Sequence, residues 1–395
     1  MLVKKTRYDL RGKIGLIDAD LLDNGTRHPN LVIMKLSGYF KEKGCEVELI
    51  ENYTIITNNN YEGIKDYDAI YISKVFDFTE IDENILKFDN VFFGGTGFYF
   101  DGGEDLPYEI EHHMPDYHIY DSFIENDTKH KNKNVYWKDY IDYSIGFATR
   151  GCFRKCEFCV NKKYDKVHFH SHIKEWLDPE RKGIYLWDDN IFGYSKWKEV
   201  FDELKETKKK FQFRQGIDIR LLTDEKAKVL NEAKYNGDII FAFDHIEERE
   251  LIEEKLKLWR KYSTKGTKLY VLSGFDGQDE KEIESVFERI LIIIKYGCLP
   301  YIMRHKDYEK SPYRGLFVQI ARWCNMPQFL KKMTFREFCE ANQAHHKTKG
   351  TLCSSMKALN DFEEKFPEIA AKYFDVRYDE QEYVKELKER RKIMK

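Results

Sequence analysis

The chain has 395 residues, of which 42% are hydrophobic, enough for about two to three domains with sizeable cores. Its 66 Lys and Arg nearly balance 69 Asp and Glu, so a formal charge of −3 leaves no electrostatic footprint for duplex nucleic acid, although local basic patches stay possible. The longest apolar run, 290–294, is far too short to cross a membrane, and the start, MLVKKTRYDLRGK, lacks the apolar segment of a signal peptide, so a soluble cytoplasmic protein is expected, with no membrane partner.

Residues 1–123 read as a small α/β domain. Short apolar runs at 13–18 (KIGLID), 46–51 (EVELIE), 68–76 (DAIYISKVF) and 90–93 suggest buried parallel strands. A helix is expected between the first two, with Pro29 in its first turn, Leu31, Met34, Tyr39 and Phe40 on its buried side and Gly44 at its stop. Strand, helix, strand in that order predicts a Rossmann-like open sheet. The cluster Gly94, Gly95, Gly97 fits either a close approach to a phosphate or a tight strand-exit turn.

Residues 124–140 contain the polar stretch ENDTKHKNKN and read as a linker. A second domain over 141–308 then opens with SIGFATRGCFRKCEFCVN, in which Cys152, Cys156 and Cys159 stand in the spacing Cys-x-x-x-Cys-x-x-Cys, with Phe158 before the third. Three thiolates this close can converge on one metal centre and fill three of the four iron positions of a cubane, the fourth staying open to a ligand. Eight cysteines without a secretory leader argue against a disulfide framework. Zinc is the stronger competitor, but it wants a closed tetrahedral set, and the residues that follow are Asn161, Lys162 and Lys163, with His168, His170 and His172 further on.

Five more strands are expected at 183–187, 211–219, 239–243, 268–272 and 299–303, separated by helical stripes such as Trp197, Val200, Phe201, Leu204. Six strands alternating with helices give a (βα)6 partial barrel, with chemistry at the carboxyl ends of the strands. Those ends are polar. Asp188, Asp189 and Asn190 follow the second strand and could either meet an ammonium group or cap the next helix. On the third, Arg214, Asp218 and Arg220 would share one face, with Gln215 on the other. A pocket lining and a structural ion pair are both open for Asp218 and Arg220. Asp244 and His245, then Ser273, Phe275 and Asp276, then Arg304 and His305 end the last three strands as substrate-side candidates. Residues 309–395 read as a mostly helical extension whose basic end, LKERRKIMK, fits a solvated helix end or a contact with an acidic partner. Cys298, Cys324, Cys339 and Cys353 match no cluster spacing and read as buried thiols.

The cysteine spacing, Phe158 and the strand-then-loop setting resemble the radical S-adenosylmethionine superfamily. RGCFRKCEFCVN, WDDN, QGIDIRLL and PYIMR are together similar to a group of bacterial and phage proteins of that superfamily. The resemblance implies a [4Fe-4S] cluster on Cys152, Cys156 and Cys159, S-adenosylmethionine on its open iron, and a one-electron donor such as flavodoxin or ferredoxin. It implies Phe158 near the adenine, Asp188, Asp189 and Asn190 at the methionine amine, and Gln215, Asp218 and Arg220 around the cofactor. Asp244, His245 and Arg304 would then serve the substrate. The usual Gly-Gly-Glu at the second strand is missing, which leaves the choice between Asp188 and Asp189 open. The first domain resembles the cobalamin-binding-type domain that precedes many such barrels, but the loop DADLLDNGTRHPN holds His28 without the Asp-x-His-x-x-Gly frame. Cobalamin is therefore not expected, although binding without a protein histidine stays open. The implied activity is reductive cleavage of S-adenosylmethionine, with hydrogen abstraction from a nucleic acid, a peptide or a small metabolite. The rival is a non-catalytic nucleic-acid-binding protein stabilised by zinc or a cluster.

Overall fold

The computed structural model describes residues 8, 10–23, 28–100 and 102–393. The first seven residues, residues 24–27 of the loop that precedes His28, and the last two residues of the basic end lie outside them. The protein is α/β throughout. It divides into two compact units, one made of residues up to Asp189 with Lys198–Phe211, the other of Asn190–Trp197 with Gln212–Lys395.

The first unit begins with four parallel strands, β1 (Lys13–Asp18), β2 (Glu46–Leu49), β3 (Ala69–Ser73) and β4 (Val91–Gly94), in the order β2-β1-β3-β4. This is the expected Rossmann-like open sheet. β1, β3 and the start of β4 read as apolar runs because both faces are covered, whereas the edge strand β2 alternates exposed Glu46 and Glu48 with Val47 and Leu49. Ile14 and Leu16 pack with Ile33, Met34 and Phe40 on one side, and Ile17 packs with Ile56, Ile70 and Ile72 on the other.

The helix Leu31–Glu42 starts where Asn30 Oδ1 accepts the amides of Val32 and Ile33 at 3.1 and 3.3 Å, two of the donors a helix start leaves without an internal partner. Pro29 stands one residue before this cap, not in the first turn. Gly44, with φ +79°, follows the helix end as expected. Residues 124–140, expected as a linker, lie in the first unit and carry the short helices Lys133–Tyr136 and Lys138–Ile141, and Trp137 and Tyr140 join its core.

Six further strands follow, β5 (Tyr143–Gly146), β8 (Gly183–Leu186), β9 (Lys210–Phe213), β10 (Ile239–Ala242), β11 (Thr267–Ser273) and β12 (Leu299–Arg304), and an α-helix stands between each successive pair except β5 and β8, which are joined by two short strands and the 3-10 turn Ile173–Glu175. They form the sheets β5-β8-β9 and β10-β11-β12, and the boundary between the units runs through β9. Two two-residue strands, β6 (Thr149–Arg150) and β7 (His168–Phe169), pair antiparallel between β5 and β8.

The third barrel strand corrects the sequence reading. β9 stops at Phe213, and Asp218 instead caps a 3-10 turn, Ile219–Leu221, so Arg214, Asp218 and Arg220 do not share a strand face. Gly216 and a side chain that accepts its own downstream amide favour the turn over the strand.

Beyond β12 the second unit is helical, from Arg314–Cys324 to Glu382–Ile393. Arg390 and Arg391 of the last helix donate to the carbonyls of Arg260 and Thr264, where the helix Arg249–Tyr262 ends. Part of the basic end thus serves as a cap.

Asp18, at the carboxyl end of β1, is buried and accepts the Tyr120 hydroxyl at 2.8 Å. Burial raises its carboxyl to about 7. A carboxyl that folds preferentially protonated lends stability below the unfolded value near 3.9, and loses it as pH rises through 7. The stability advantage of the wild type over Asp18→Asn is therefore expected to shrink between about pH 4 and 7, by a few kcal/mol at most, and then level off. Urea denaturation of both proteins across that range measures it; a constant difference would contradict the assignment.

Candidate metal centre

Strand β5 ends at Gly146, whose α-carbon lies so close to the Trp176 ring that a methyl there would come within 2.4 Å of it. The chain then leaves the sheet, runs through β6, and loops back into β7, so the antiparallel pairs Thr149 with Phe169 and Arg150 with His168 close the base of a loop over residues 151–167. Gly151 turns the corner with φ +93°, and a Cβ at that position would stand 2.4 Å from the Lys166 carbonyl oxygen. Only glycine meets both demands.

Cys152, Cys156 and Cys159 all lie in this loop as half-buried thiols outside any disulfide, with Phe158 half-buried beside them. Amides of Arg154 and Asn161 donate to Cys152 Sγ and Cys159 Sγ, each at 3.4 Å. Burial raises the Cys159 thiol, and the Asn161 amide opposes that shift. Lys155 takes a left-handed conformation, φ 51°. Its amine reaches the Lys162 carbonyl at 2.5 Å and Asp165 at 2.8 Å. The Lys162 amine in turn donates to the carbonyls of Cys156 and Glu157 at 2.6 and 3.3 Å. Two ammonium groups thus organise the loop.

Among the described residues, no three His, Cys, Asp or Glu side chains converge where a single metal ion could sit. A mononuclear tetrahedral site needs such convergence, with metal–sulfur bonds of about 2.3 Å. A cubane makes a different demand, since its cysteines bind separate irons. Three thiols in one loop, two of them hydrogen-bonded by amides, fit that donor set.

Asp188 and Asp189 follow β8 and turn back towards the start of this loop. Asp188 is 3% exposed. Its Oδ1 accepts the Thr149 amide and hydroxyl, each at 2.6 Å, and its Oδ2 accepts the Ala148 amide at 3.1 Å. Burial raises this carboxyl to about 7, against the pull of those donors. Asp189 accepts the Gly151 amide at 2.6 Å, with Arg150 Nε 3.7 Å away. Neither carboxylate caps the following turn, which begins at Ile191 behind a buried Asn190 that makes no side-chain cap bond.

A cluster that the sequence did not disclose lies at the loop's other exit. His170 Nε2 meets Glu111 at 3.1 Å, Glu111 meets the buried Lys35 amine at 2.7 Å, and His112 stacks on His170 while bonding Glu175 at 2.8 Å. Burial opposes ionisation of Glu111, but His170 and Lys35 overcome it and hold the carboxyl at about 2. Burial lowers both the Lys35 amine and the His170 ring. These residues are far apart in sequence, and only Lys35, a lone charge within LVIMKLSGYF, carried a signal that could have marked it.

The second unit holds the remaining candidates. Arg220 pairs with Asp218 through Nε at 2.6 Å and Nη2 at 3.1 Å, and its Nη1 meets Glu248. Of the two readings left open by the sequence, the ion pair is formed. Asp244 Oδ1 accepts the Leu272 amide at 3.2 Å, and burial raises its carboxyl. His245 Nδ1 stands 2.9 Å from Asp276. Gln215 and Arg304 are exposed, and Arg304 lies over the Tyr308 ring at 4.6 Å. Cys298, Cys324, Cys339 and Cys353 are buried free thiols.

The first unit also contains a cavity of about 410 Å³ at the carboxyl ends of β3 and β4, lined by Leu36, Tyr71, Ser73, Phe92, Gly94 and Gly95 among others. Gly95, at φ +106°, has no room for a Cβ because the Lys74 carbonyl oxygen would lie 2.3 Å away. His28 pairs with Asp139 at 2.9 Å and packs edge-on against Trp187.

No protein-family model and no curated protein matches the chain. Solved structures similar to it include the radical S-adenosylmethionine methyltransferase TsrM from Kitasatospora setae with cobalamin and a [4Fe-4S] cluster bound, at 11% identity and TM-score 0.48 over 75% of each chain. The same enzyme with tryptophan and an S-adenosylmethionine analogue aligns at 12% identity and TM-score 0.48, over 73% of this chain and 72% of that one. The cobalamin-dependent S-adenosylmethionine radical enzyme OxsB, with aqua-cobalamin and S-adenosylmethionine bound, aligns at 12% identity and TM-score 0.36, over 93% of this chain and 57% of that one. This finding overturns the expectation against cobalamin, since the similar structures hold it. The missing Asp-x-His-x-x-Gly frame bears only on ligation of cobalt by a histidine.

No helix among the described residues is long and apolar enough to cross a membrane.

Removing Arg220 leaves Asp218, whose side chain is 8% exposed, without its main partner. Arg220→Ala is expected to destabilise the fold by about 2 to 4 kcal/mol, as breaking a largely buried pair does. Urea denaturation decides: a change below about 0.5 kcal/mol, the range of ordinary surface substitutions, would mean that the pair does not support the fold.

Proposed function

We propose that this protein is a radical S-adenosylmethionine enzyme. The observation that carries the reading is the loop itself, with three half-buried thiols within eight residues after the first barrel strand and backbone amides aimed at two of the sulfurs. Cys152, Cys156 and Cys159 would hold a [4Fe-4S] cluster and leave one iron for S-adenosylmethionine. When bound, such a cluster would supply one-electron reduction, with flavodoxin or ferredoxin as the class of donor, for reductive cleavage of S-adenosylmethionine and hydrogen abstraction from a substrate.

The chain's own residues prepare that site. The amides of Arg154 and Asn161 stabilise charge on sulfur, and Lys155 and Lys162 hold the loop closed. Phe158 supplies an apolar surface for the adenine. Asp189 and Asn190 are the polar groups assigned to the methionine end. In the second unit, Gln215 and the ion pair of Asp218 with Arg220 are assigned to the cofactor, and Arg304 to the substrate side. Asp244 and His245 are assigned to the substrate side. The substrate itself is a nucleic acid, a peptide or a small metabolite.

Anaerobically reconstituted protein is expected to be brown, to hold about four irons per chain, and to release 5′-deoxyadenosine when given dithionite and S-adenosylmethionine. Replacing Cys152, Cys156 and Cys159 together with alanine should abolish both properties. A colourless protein that binds zinc and releases no nucleoside would support the structural-metal rival instead.

A further inference from the structure

At the end of the second barrel strand, the resemblance would have a polar side chain meet the methionine amine. Asp188 stands at that point in sequence, yet its surroundings describe another task. It is 3% exposed, and its oxygens already accept two amides and a hydroxyl, all from Ala148 and Thr149. These are the residues between the end of β5 and the corner at Gly151. The next carboxylate, Asp189, takes the amide of Gly151 itself. Three buried amides, those of Ala148, Thr149 and Gly151, thus find side-chain acceptors just beyond the end of β8.

Resting on the function proposed above, we infer that Asp188 is a positioning residue, a strut from β8 that fixes where the cysteine loop leaves β5, and that it does not bind the methionine amine. The geometry argues this in two ways. A buried carboxylate with three donors on its two oxygens has about one acceptor site left and no solvent-facing edge on which to receive an ammonium group. Without the acceptor, the amides of Ala148 and Thr149 stay buried and unsatisfied, which favours local opening of the segment that carries Cys152. Thr149 sharpens the argument, because its hydroxyl would have no reason to turn inward towards a residue reserved for a ligand.

The test compares wild type, Asp188→Ala and Asp188→Asn. Asparagine keeps the shape and the acceptor for Thr149 but presents a donor where the Ala148 amide needs an acceptor. In metal-free protein, iodoacetamide labelling followed by peptide mass spectrometry gives the rate at each cysteine. Asp188→Ala is expected to raise labelling at Cys152, Cys156 and Cys159 by about fivefold or more, to leave buried Cys45 unchanged, and to lower iron uptake. Asp188→Asn should fall between the two. Cluster that does assemble in either variant should bind S-adenosylmethionine with wild-type affinity, read as the shift of its electron paramagnetic resonance signal on titration. Full iron content with unchanged labelling and affinity weakened about tenfold or more, as loss of a charge-assisted contact would cause, would overturn the inference. If Asp188→Ala does not fold, the same readouts on Asp188→Asn decide. If the wild type takes up no iron at all, the proposed function fails, while the labelling rates still report on the strut.

Discussion

Everything near the cysteine loop depends on how a parallel strand gives up its hydrogen bonds. Where β5 ends, the amides of Ala148, Thr149 and Gly151 enter the interior without a ladder to receive them, and each would cost about 1 to 3 kcal/mol if left alone. Two adjacent carboxylates after β8 accept all three. This explains why the polarity is concentrated there. A serine or asparagine offers fewer acceptor sites than a carboxylate, and a buried carboxylate finds compensation for lost hydration only where several donors converge. The carboxyl of Asp188 sits near 7 because burial and those donors act in opposite directions, with burial the larger.

The same logic recurs at the other exit of the loop. Lys35, Glu111 and His170 join the helix Leu31–Glu42, the turn at Tyr108–Glu111 and the end of β7 through one chain of contacts. Glu111 is held by both the Lys35 amine and the His170 ring, which keeps it ionised despite burial. The loop is thereby anchored at both ends by charged groups within the first unit. Its interior is held by lysine amines on backbone carbonyls. Such a loop fixes its corners while leaving the thiols half-buried, the combination a ligand-binding segment needs.

How much of this was legible depended on the range of the interaction. β1, β3 and β4 were readable as apolar runs because covering both faces of a parallel sheet removes any alternation, and Gly44 marked a helix end through its own backbone. The cysteine spacing was legible for the same local reason. β9 was overextended to residue 219, since Phe211, Phe213, Ile217 and Ile219 alternate like a strand, whereas Gly216 and the capping side chain of Asp218 redirect the chain. β6 and β7 are two residues each, too short for any periodicity. Asp188 was picked out as chemically important, but its partners forty residues earlier could not be read, because they meet only through the pairing of β5 with β8. Lys35, Glu111 and His170 stayed hidden for the same reason.

In the second unit, the polar strand ends divide by their partners. Arg220 is engaged by Asp218 and Glu248, His245 by Asp276 through Nδ1, and the Asp244 carboxylate by the Leu272 amide through Oδ1. Arg304 differs. It is exposed, and its guanidinium lies over the ring of Tyr308, which attracts the cation without consuming its N–H donors. An arginine held in this way keeps both its charge and its hydrogen-bonding capacity. Among the candidates named from sequence, it therefore combines a fixed position with donors available to an anionic group, whereas the ion pairs beside it mainly set the shape of the strand ends.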